Sequence, residues 1–513
     1  MFFRKKSTPM KNNDPQDIVP ATYDDFLTKL INRTAPGRDW TISRTQQGFA
    51  LVYYEYLIDP AQLQRAILEQ IQLLEEPCTI EQLITTIPIP EIKLTNDFTV
   101  VLNHLLEGWT FIHMDGCARG VLCNTVKEAK RSLQRPEVES QIFGPQIAFV
   151  ESIDTNVSII RNYVPRPNLI IETCDIGARA KSVVSILYMK DIALEENVQE
   201  VKSRLSRIDI DRVLDSSVLV QLLVDNPWSI FPQILFTERP DRVVQELMEG
   251  KITLFLSGSP FAIVCPSTIF DFFKSPEDSY VRWNIGSFFR FLRIVAVVVS
   301  VLFTPAYVAA LTFHYQLIPS AMLVSLAQSR SRVPFPPIME ALILEFMIEL
   351  LREAGARLPT KVGQTMSIVG GIVIGQAAVQ AGFTSNILII IVALGALASF
   401  TTPSYILGNA IRIIRFPMII LAGSLGGVGI MLGICFILLH LLRQTSLNHP
   451  FLYPLYPLRF RDLPNSIIRL PLYKSLKRTS YTTGDNKIRM EKPHIQKPED
   501  IFEEPVGVRV EKQ

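Results

Sequence analysis

The sequence predicts a two-part protein, in which an α+β or α/β water-soluble region is followed by an α-helical polytopic membrane domain. Two observations predict this division. Residues 362–411 carry no charged side chain, and neither do residues 294–313 or, His440 apart, residues 416–442. One bilayer crossing takes about 20 apolar residues, whereas charged residues are spread throughout residues 1–290. The water-soluble region is therefore expected to end before the first of these uncharged stretches.

Breaks in composition divide the chain into five segments. We expect a disordered start, two soluble subdomains, a transmembrane helical domain, and a basic, proline-rich tail whose end is disordered. In chain order these segments are residues 1–20, 21–135, 136–285, 286–445 and 446–513. The membrane domain is expected to hold about four spans and one amphipathic helix.

Periodicity predicts the elements of the first subdomain. Apolar residues at helical spacing predict a helix over residues 21–33, and a proline suited to a first turn opens another over residues 60–74. β-branched and aromatic residues predict a strand over residues 49–58. Two further strands flank an Asp-Gly turn, so residues 109–114 and 120–124 are expected to form a hairpin.

Strands and helices alternate irregularly in the second subdomain as well, which favours a sheet with helices packed on it. Runs rich in β-branched residues predict its strands, and helical periodicity predicts its helices. The helices are expected over residues 153–161 and 240–248, and the strands over residues 168–174, 182–189, 251–256 and 261–265.

Neither composition nor motifs indicate catalysis, a metal site or nucleic-acid binding. The net charge is +2, the six cysteines include no CxxC pair and the six histidines are scattered, so we expect no metal, no cofactor and no catalytic residues. Residues 177–182 resemble part of a phosphate loop, but Ala180 stands where that motif needs glycine, which predicts a plain strand connection. Basic residues 4–6 precede a polar stretch, so we expect no secretory signal and a cytoplasmic soluble region.

A helix predicted over residues 338–352 carries two acidic side chains, Glu345 and Glu349, one turn apart and opposite its apolar stripe. It follows a first span predicted over residues 291–313. Two interpretations stay open. The helix either lies flat at the membrane surface with its acids in water, or stands in a bundle with its acids facing an aqueous cavity, because carboxylates within a membrane usually mark an ion path.

The helix predicted over residues 365–380 has the most specific pattern. One face carries polar and β-branched residues, and a neighbouring face carries small residues that let helices approach closely. Because glutamine amides in hydrocarbon need partners or water, the first face suits a pore wall whose valines close it by excluding water. Alternatively, the glutamines hydrogen-bond a neighbouring helix. The expected pore face is Thr365, Val369, Val373, Gln376 and Gln380, and the expected packing face is Gly371, Gly375 and Gly382.

Two further crossings are expected over residues 387–402 and 416–442, joined by a short helix over residues 405–414. Closely spaced glycines in the last crossing favour tight helix packing. Four spans would place both termini in the cytoplasm, whereas a crossing by the helix over residues 338–352 would place the C-terminus outside. Basic residues in the tail favour four spans.

Several motifs match one family of proteins. In the membrane part they are PFPP at residues 334–337, the segments 340–359 and 362–364, SIVGGIVIGQAAV at residues 367–379 and ASFTTPSY at residues 398–405. Elsewhere they are Phe143-Gly144-Pro145, Glu151, Asn156, Arg161, Asn226-Pro227-Trp228, Pro232-Gln233 and the segment 450–462. At these motifs the chain resembles the A subunit of the GerA-type spore germination receptor family. It departs from the family at residues 146–148 and 162–163, where relatives carry more charge.

The resemblance implies a nutrient-sensing receptor subunit in the inner membrane of a dormant bacterial spore. It implies two partners, a permease-like B subunit and a lipoprotein C subunit, with the germinant bound mainly on the B subunit. It also implies a homo-oligomer, with a pentamer as the expected form, that acts as a channel for monovalent cations.

Two other functions stay open on the residues alone. A secondary transporter is expected to show an internal repeat with broken helices, and the sequence holds no second copy of the pattern at residues 367–376. A membrane-anchored scaffold needs no polar face on the helix over residues 365–380, whereas Gln376 and Gln380 give that helix one.

Overall fold

The computed structural model describes residues 17–34, 40–74, 79–127, 135–358, 371, 375–471, 474–479, 481–484 and 486–490. The chain divides into two compact units. The first unit comprises Met1–Ser140, Pro145–Val224 and Ile234–Pro266, and the second comprises Gln141–Gly144, Asp225–Gln233 and Ser267–Gln513. The predicted disorder at both ends falls almost wholly outside the described residues and stays a prediction.

The first unit begins with a five-stranded antiparallel sheet. Its strands are β1 (Trp40–Arg44), β2 (Phe49–Tyr54), β3 (Ile92–Thr95), β4 (Trp109–Met114) and β5 (Gly120–Asn124), in the order β1-β2-β4-β5-β3. Its helices are α1 (Tyr23–Arg33), α2 (Pro60–Gln62), a π-helical turn (Leu63–Leu68), α3 (Glu69–Gln72), α4 (Ile80–Thr86) and α5 (Phe98–Leu106). The predicted hairpin is confirmed, because β4 and β5 pair antiparallel.

Helices cover both faces of this sheet. Successive side chains of a strand point to opposite faces, and β2 shows the result. Leu51 belongs to a buried cluster with Ile67 of the π-helical turn, whereas Val52 belongs to another with Phe26 of α1 and Phe98 of α5. The apolar run of β2 therefore reflects burial on two sides.

A second antiparallel sheet completes the first unit. Its strands are β6 (Leu169–Ile176), β7 (Ser182–Met189), β8 (Leu235–Thr237), β9 (Ile252–Leu256) and β10 (Ala262–Cys265), in the order β6-β7-β9-β10-β8. Its helices are α6 (Ile153–Tyr163), α7 (Glu195–Ser206), α8 (Ser216–Leu223) and α9 (Pro240–Met248). Every strand pair in the two sheets is antiparallel. The first unit is therefore α+β, and the α/β alternative is wrong.

The loop between β6 and β7 holds the sequence that resembles a phosphate loop. The backbone N–H of Ala178 donates to Ile210 O at 2.7 Å, and those of Arg179 and Ala180 donate to Asp211 O at 3.2 and 2.9 Å. These three donors are satisfied within the chain and are not free to wrap a phosphate. The prediction of a plain strand connection is confirmed.

The second unit is mainly helical. Its helices are α10 (Trp283–Thr312), α11 (Ser320–Arg330), α12 (Pro337–Arg357), α13 (Asn386–Ser399), α14 (Tyr405–Arg443) and α15 (Leu463–Ile467). Three 3₁₀ turns (Ile269–Phe272, Pro276–Ser279 and Tyr315–Leu317) and a two-stranded hairpin, β11 (Thr445–Ser446) with β12 (His449–Pro450), accompany them.

Within the described residues, two helices, α10 and α14, are long and apolar enough to cross a membrane, judged by length and composition. Helix α13 is apolar but has 14 residues, fewer than the about 20 that a crossing takes. Most of the helix predicted over residues 365–380 lies outside the described residues. The number of about four spans stays a prediction.

Helix α14 differs from the predicted short helix and separate last crossing. It is continuous from Tyr405 to Arg443 except at Gly426, whose φ of 63° and ψ of −139° are not helical. Residues on either side of this break face each other: Ile413 and Pro417 line one cavity of about 380 Å³ together with Phe436 and His440. An unbroken helix would place Ile413 and His440 about 40 Å apart. The chain therefore folds back at Gly426, and the expected boundary near residue 415 is wrong.

A histidine supports this break. Nε2 of His314 accepts a hydrogen bond from the backbone N–H of Gly427 at 3.0 Å. That N–H begins the second arm of α14 and has no intrahelical partner, because the first four N–H groups of a helix lack one. Glycine is needed at position 426, since a Cβ there would lie 2.9 Å from Cβ of Phe313 and a positive φ strains other residues.

Candidate functional site: a buried row of ion pairs

Helix α12 supplies three glutamates to the interior of the second unit. It begins at Pro337, where proline suits the first turn because the missing N–H would be unpaired there anyway. Glu340, Glu345 and Glu349 follow at spacings of five and four, so that each meets a different partner. The three carboxylates span about 13 Å along the helix axis.

Glu345 forms the central ion pair of this row. Its Oε2 accepts a hydrogen bond from Nη1 of Arg415 at 2.7 Å, and both side chains are 4% exposed. Its Oε1 accepts from the Thr304 hydroxyl at 3.0 Å. The carboxylate therefore has a charged partner on α14 and a neutral donor on α10.

Arg415 is held from two further sides. Its Nη2 donates to the Ser300 hydroxyl at 2.6 Å and to the carbonyl of Gly395 at 3.1 Å. Ser300 belongs to α10 and Gly395 to α13. One guanidinium thus joins α10, α12, α13 and α14.

Removing two charges from water costs several kcal/mol per ion, and only excellent geometry and further hydrogen bonds offset that cost. The Glu345–Arg415 pair has both, since Ser300 and Thr304 are themselves fully buried. The interpretation that places the acids in water is wrong for Glu345, because an arginine of the same unit compensates it away from solvent. In the other interpretation the acids face an aqueous cavity, whereas Glu345 faces Arg415 instead.

Glu349 differs from Glu345 in exposure, with a side chain that is 41% exposed. Its Oε1 lies 3.2 Å from Nη1 of Arg412, and its Oε2 lies 3.6 Å from Nη1 of Arg352. Arg352 also donates to the Ser399 hydroxyl at 3.3 Å. Glu345 is thus buried and Glu349 is partly exposed to solvent, and arginines pair with both carboxylates.

The expected pore face falls only partly on described residues. Thr365, Val369 and Val373 lie outside them. Residues 375–380 are helical, and Gln376 and Gln380 are exposed on this helix. Neither glutamine has a hydrogen-bond partner among the described residues, so the alternative in which they bond a neighbouring helix of the same chain gains no support there.

The expected packing face divides in two. Gly371 and Gly375 face open space, because no described atom lies within 4 Å of an added Cβ at either position. Gly382 is not on the helix at all. Its φ is +71° in the turn that ends the helix, and an added Cβ there would lie 2.6 Å from the carbonyl oxygen of Arg332. Gly382 thus lies in the turn and not on the helix face where it was expected, and its part in helix packing stays a prediction.

The matched residues of the soluble region hold the backbone in place. The Asn156 amide accepts from the backbone N–H of Val150 at 2.9 Å and donates to its carbonyl at 2.6 Å. Buried Arg161 donates to the carbonyl of Leu169 at 3.0 Å. In the second unit, Gln233 accepts from the N–H of Asp225 at 2.8 Å. Each of these side chains therefore holds a segment of backbone.

Sequence reasoning missed the role of Arg415, which lies between the short helix predicted over residues 405–414 and the crossing predicted over residues 416–442. The signal was available, since Arg412 and Arg415 interrupt an otherwise uncharged stretch from residue 362 to residue 442, His440 apart. A charge inside an apolar stretch needs a partner of opposite sign. The glutamates of α12 were the nearest candidates in sequence.

The sequence model of the Bacillus/Clostridium GerA spore germination protein family matches residues 22–481. The chain belongs to this family. The spore germination protein GerQA of Bacillus cereus is 45% identical, over 94% of this chain and 96% of that protein. The spore germination protein GerIA of Bacillus cereus is 46% identical, over 87% of this chain and 67% of that protein.

A solved structure also matches, the crystal structure of the N-terminal domain of the A subunit of the Bacillus megaterium spore germinant receptor GerK3. It is 26% identical, covers 50% of this chain and 99% of that chain, and has a TM-score of 0.39. Membership rests on the family match and on the two relatives, and it confirms the resemblance found at the motifs. The family consists of spore germination proteins and is not known as an enzyme family.

Proposed function

We propose that this chain is the A subunit of a nutrient-responsive germinant receptor and forms an oligomeric, gated channel for monovalent cations. Family membership supports the receptor role. Its partners are a permease-like B subunit and a lipoprotein C subunit. The receptor resides in the inner membrane of the spore, which α10 crosses and which α14 enters with two arms that meet at Gly426. The first unit lies in the cytoplasm.

The exposure of Gln376 and Gln380 is the observation that carries the channel proposal. An amide without a partner costs about 1–3 kcal/mol when it is kept from water, so these side chains do not face hydrocarbon. A water-filled path shared with other copies of the chain provides both water and amide partners. Gly371 and Gly375, which have no described atom within 4 Å of an added Cβ, let a second copy approach closely.

The ion pairs of α12 support the same proposal, because they hold together the helices next to the glutamine-bearing helix. Arg415 joins four helices into one bundle, against which the helix bearing Gln376 and Gln380 is positioned. Because Arg415 already compensates Glu345, the carboxylate is not the ion-binding site. Conduction is proposed to run along the glutamine face, outside this bundle.

Reconstitution in liposomes tests the proposal. The purified receptor with all three subunits is sealed in vesicles loaded with K⁺, and efflux is followed with and without nutrient mixtures. We expect nutrient-dependent K⁺ efflux that requires this chain. Efflux coupled strictly to nutrient transport would favour a transporter, and nutrient-dependent assembly without efflux would favour a scaffold.

A further inference from the structure

The helix bearing Gln376 and Gln380 ends in a well-defined turn. The backbone N–H groups of Ala381, Gly382 and Phe383 donate to the carbonyls of Ala377, Val379 and Ala378, at 2.9, 3.0 and 2.8 Å. Gly382 takes the left-handed conformation typical of a helix C-terminus. Residues 381–385 therefore set the angle between this helix and α13, which follows it in the chain.

Glu340 of α12 holds the far end of this turn. Its side chain is buried, and its Oε1 accepts from the Thr384 hydroxyl at 3.1 Å and from the backbone N–H of Ser385 at 2.5 Å. Oε2 of Glu340 lies 3.6 Å from Nη2 of Arg330. The Ser385 hydroxyl in turn accepts from the N–H of Leu388 at 3.3 Å and caps α13. A carboxylate at a helix N-terminus is stabilised by the helix dipole.

Two further contacts fix the same turn against the segment that precedes α12. The rings of Phe335 and Phe383 lie 5.3 Å apart between centroids. The backbone of Gly382 approaches the carbonyl of Arg332 so closely that a Cβ would not fit. Residues 330–340 therefore hold residues 382–385 by hydrogen bonds to a carboxylate, by an aromatic contact and by a close backbone approach.

We infer that Glu340 is a positioning residue, which fixes the helix bearing Gln376 and Gln380 relative to α12 and α13. This inference deepens the proposed function and rests on it only for its effect on ion flux. Glu340 was not among the residues expected from the sequence to act in the membrane domain. Because Glu340 lies in the first turn of α12, its carboxylate reaches the hydroxyl of Thr384 and the backbone N–H of Ser385.

Hydrogen exchange of the full-length chain in lipid nanodiscs tests the contact directly. In Glu340→Ala, the hydroxyl of Thr384 and the N–H of Ser385 lose their acceptor, so exchange over residues 375–388 should rise about tenfold. Exchange in α10 and in residues 427–443 should stay unchanged. Glu340→Gln keeps a carbonyl acceptor and should give an intermediate rise. The matched control, Glu353→Ala, breaks an exposed pair on the same helix and should leave residues 375–388 unchanged.

Thr384→Val keeps the side-chain shape and removes one donor to Glu340, so it tests the same contact if Glu340→Ala does not fold. A rise confined to residues 375–388 supports the positioning role. No rise in either variant, or a rise across the whole helical unit, overturns it.

K⁺ efflux separates this inference from the proposed function. Where the wild-type receptor conducts, Glu340→Ala at equal protein level should raise efflux in the absence of nutrient, because the conducting helix is no longer held in place. Unchanged efflux together with raised exchange would refute an effect on the conducting helix. A wild-type receptor that never conducts would refute the channel, while the exchange result would still decide whether Glu340 positions residues 375–388.

Discussion

Arg415→Met is the change that most directly disturbs the buried row. It removes the charge that compensates Glu345, while methionine fills much of the same volume without a polar group. Breaking a buried ion pair by removing one partner costs about 3–5 kcal/mol, because the other charge stays buried without compensation. The change also removes the hydrogen bonds from Arg415 to Ser300 and Gly395. We expect a loss in the free energy of unfolding near the upper end of that range.

The matched control is Arg357→Met on helix α12. Arg357 pairs with Glu353, but the two side chains are 78% and 63% exposed. An exposed pair contributes about 0–1 kcal/mol, so the control isolates burial from the loss of an arginine. Unfolding of the purified chain in detergent micelles by added denaturing detergent compares the two variants.

The double variant Glu345→Met with Arg415→Met completes the cycle. Replacing a buried pair by apolar side chains is often neutral, so the double variant should recover most of the lost stability. Residues in direct contact show such non-additive effects. Equal stability of Arg415→Met and Arg357→Met, or strict additivity in the double variant, would refute the reasoning.

Three further outcomes are expected. Gly426→Ala forces a methyl group against Phe313 at a φ of 63° and should destabilise the fold by about 1–3 kcal/mol in the same unfolding assay. Burial raises the pKa of the Cys265 thiol to about 12, so iodoacetamide at pH 8 should label it only after unfolding, because the thiolate is the nucleophile. In a germination assay, Val369→Ala or Val373→Ala should leak ions without nutrient, because smaller apolar side chains let water into the narrow part of the path. Ile372→Ala should not leak.

Each of these outcomes has its own contrary result. Unchanged stability of Gly426→Ala, with Ser424→Ala as a neighbouring control, would mean that α14 does not fold back at residue 426. Rapid labelling of Cys265 in the folded chain, at a rate similar to that of half-exposed Cys117, would contradict its burial. Leak from residue 372 alone would mean that the opposite face of the helix lines the path.

Helices and strands that depend on residues close together in the sequence could be predicted. The hairpin of Trp109–Met114 and Gly120–Asn124 was predicted with its observed bounds, because an Asp-Gly turn and β-branched flanks determine it within a few residues. The helix at Pro240–Met248 was also predicted with its observed bounds, from helical periodicity. The antiparallel order of both sheets could not be predicted, since pairing between distant strands depends on tertiary packing.

The candidate site shows the same limit. Glu345 and Glu349 were identified as a row from their spacing on one helix, but their solvent exposure depends on Arg415, 70 residues away. The break at Gly426 was hidden among other glycines, because its positive φ follows from the fold and not from composition. Gly382 was assigned to the helix itself because the turn that ends the helix depends on contacts with residues 332 and 340.

Thiol accessibility shows whether the conducting path runs along the face that carries Gln376 and Gln380. Gln376→Cys and Gln380→Cys are placed one at a time in a chain whose native cysteines are replaced by serine, and Leu397→Cys, exposed on apolar α13, serves as the control. Nutrient-dependent K⁺ efflux from vesicles is then followed while a charged methanethiosulfonate reagent is added. The account predicts that the reagent blocks efflux at positions 376 and 380 and leaves it unchanged at position 397. Block at position 397 alone, or full efflux in all three labelled variants, would contradict a conducting path along this face.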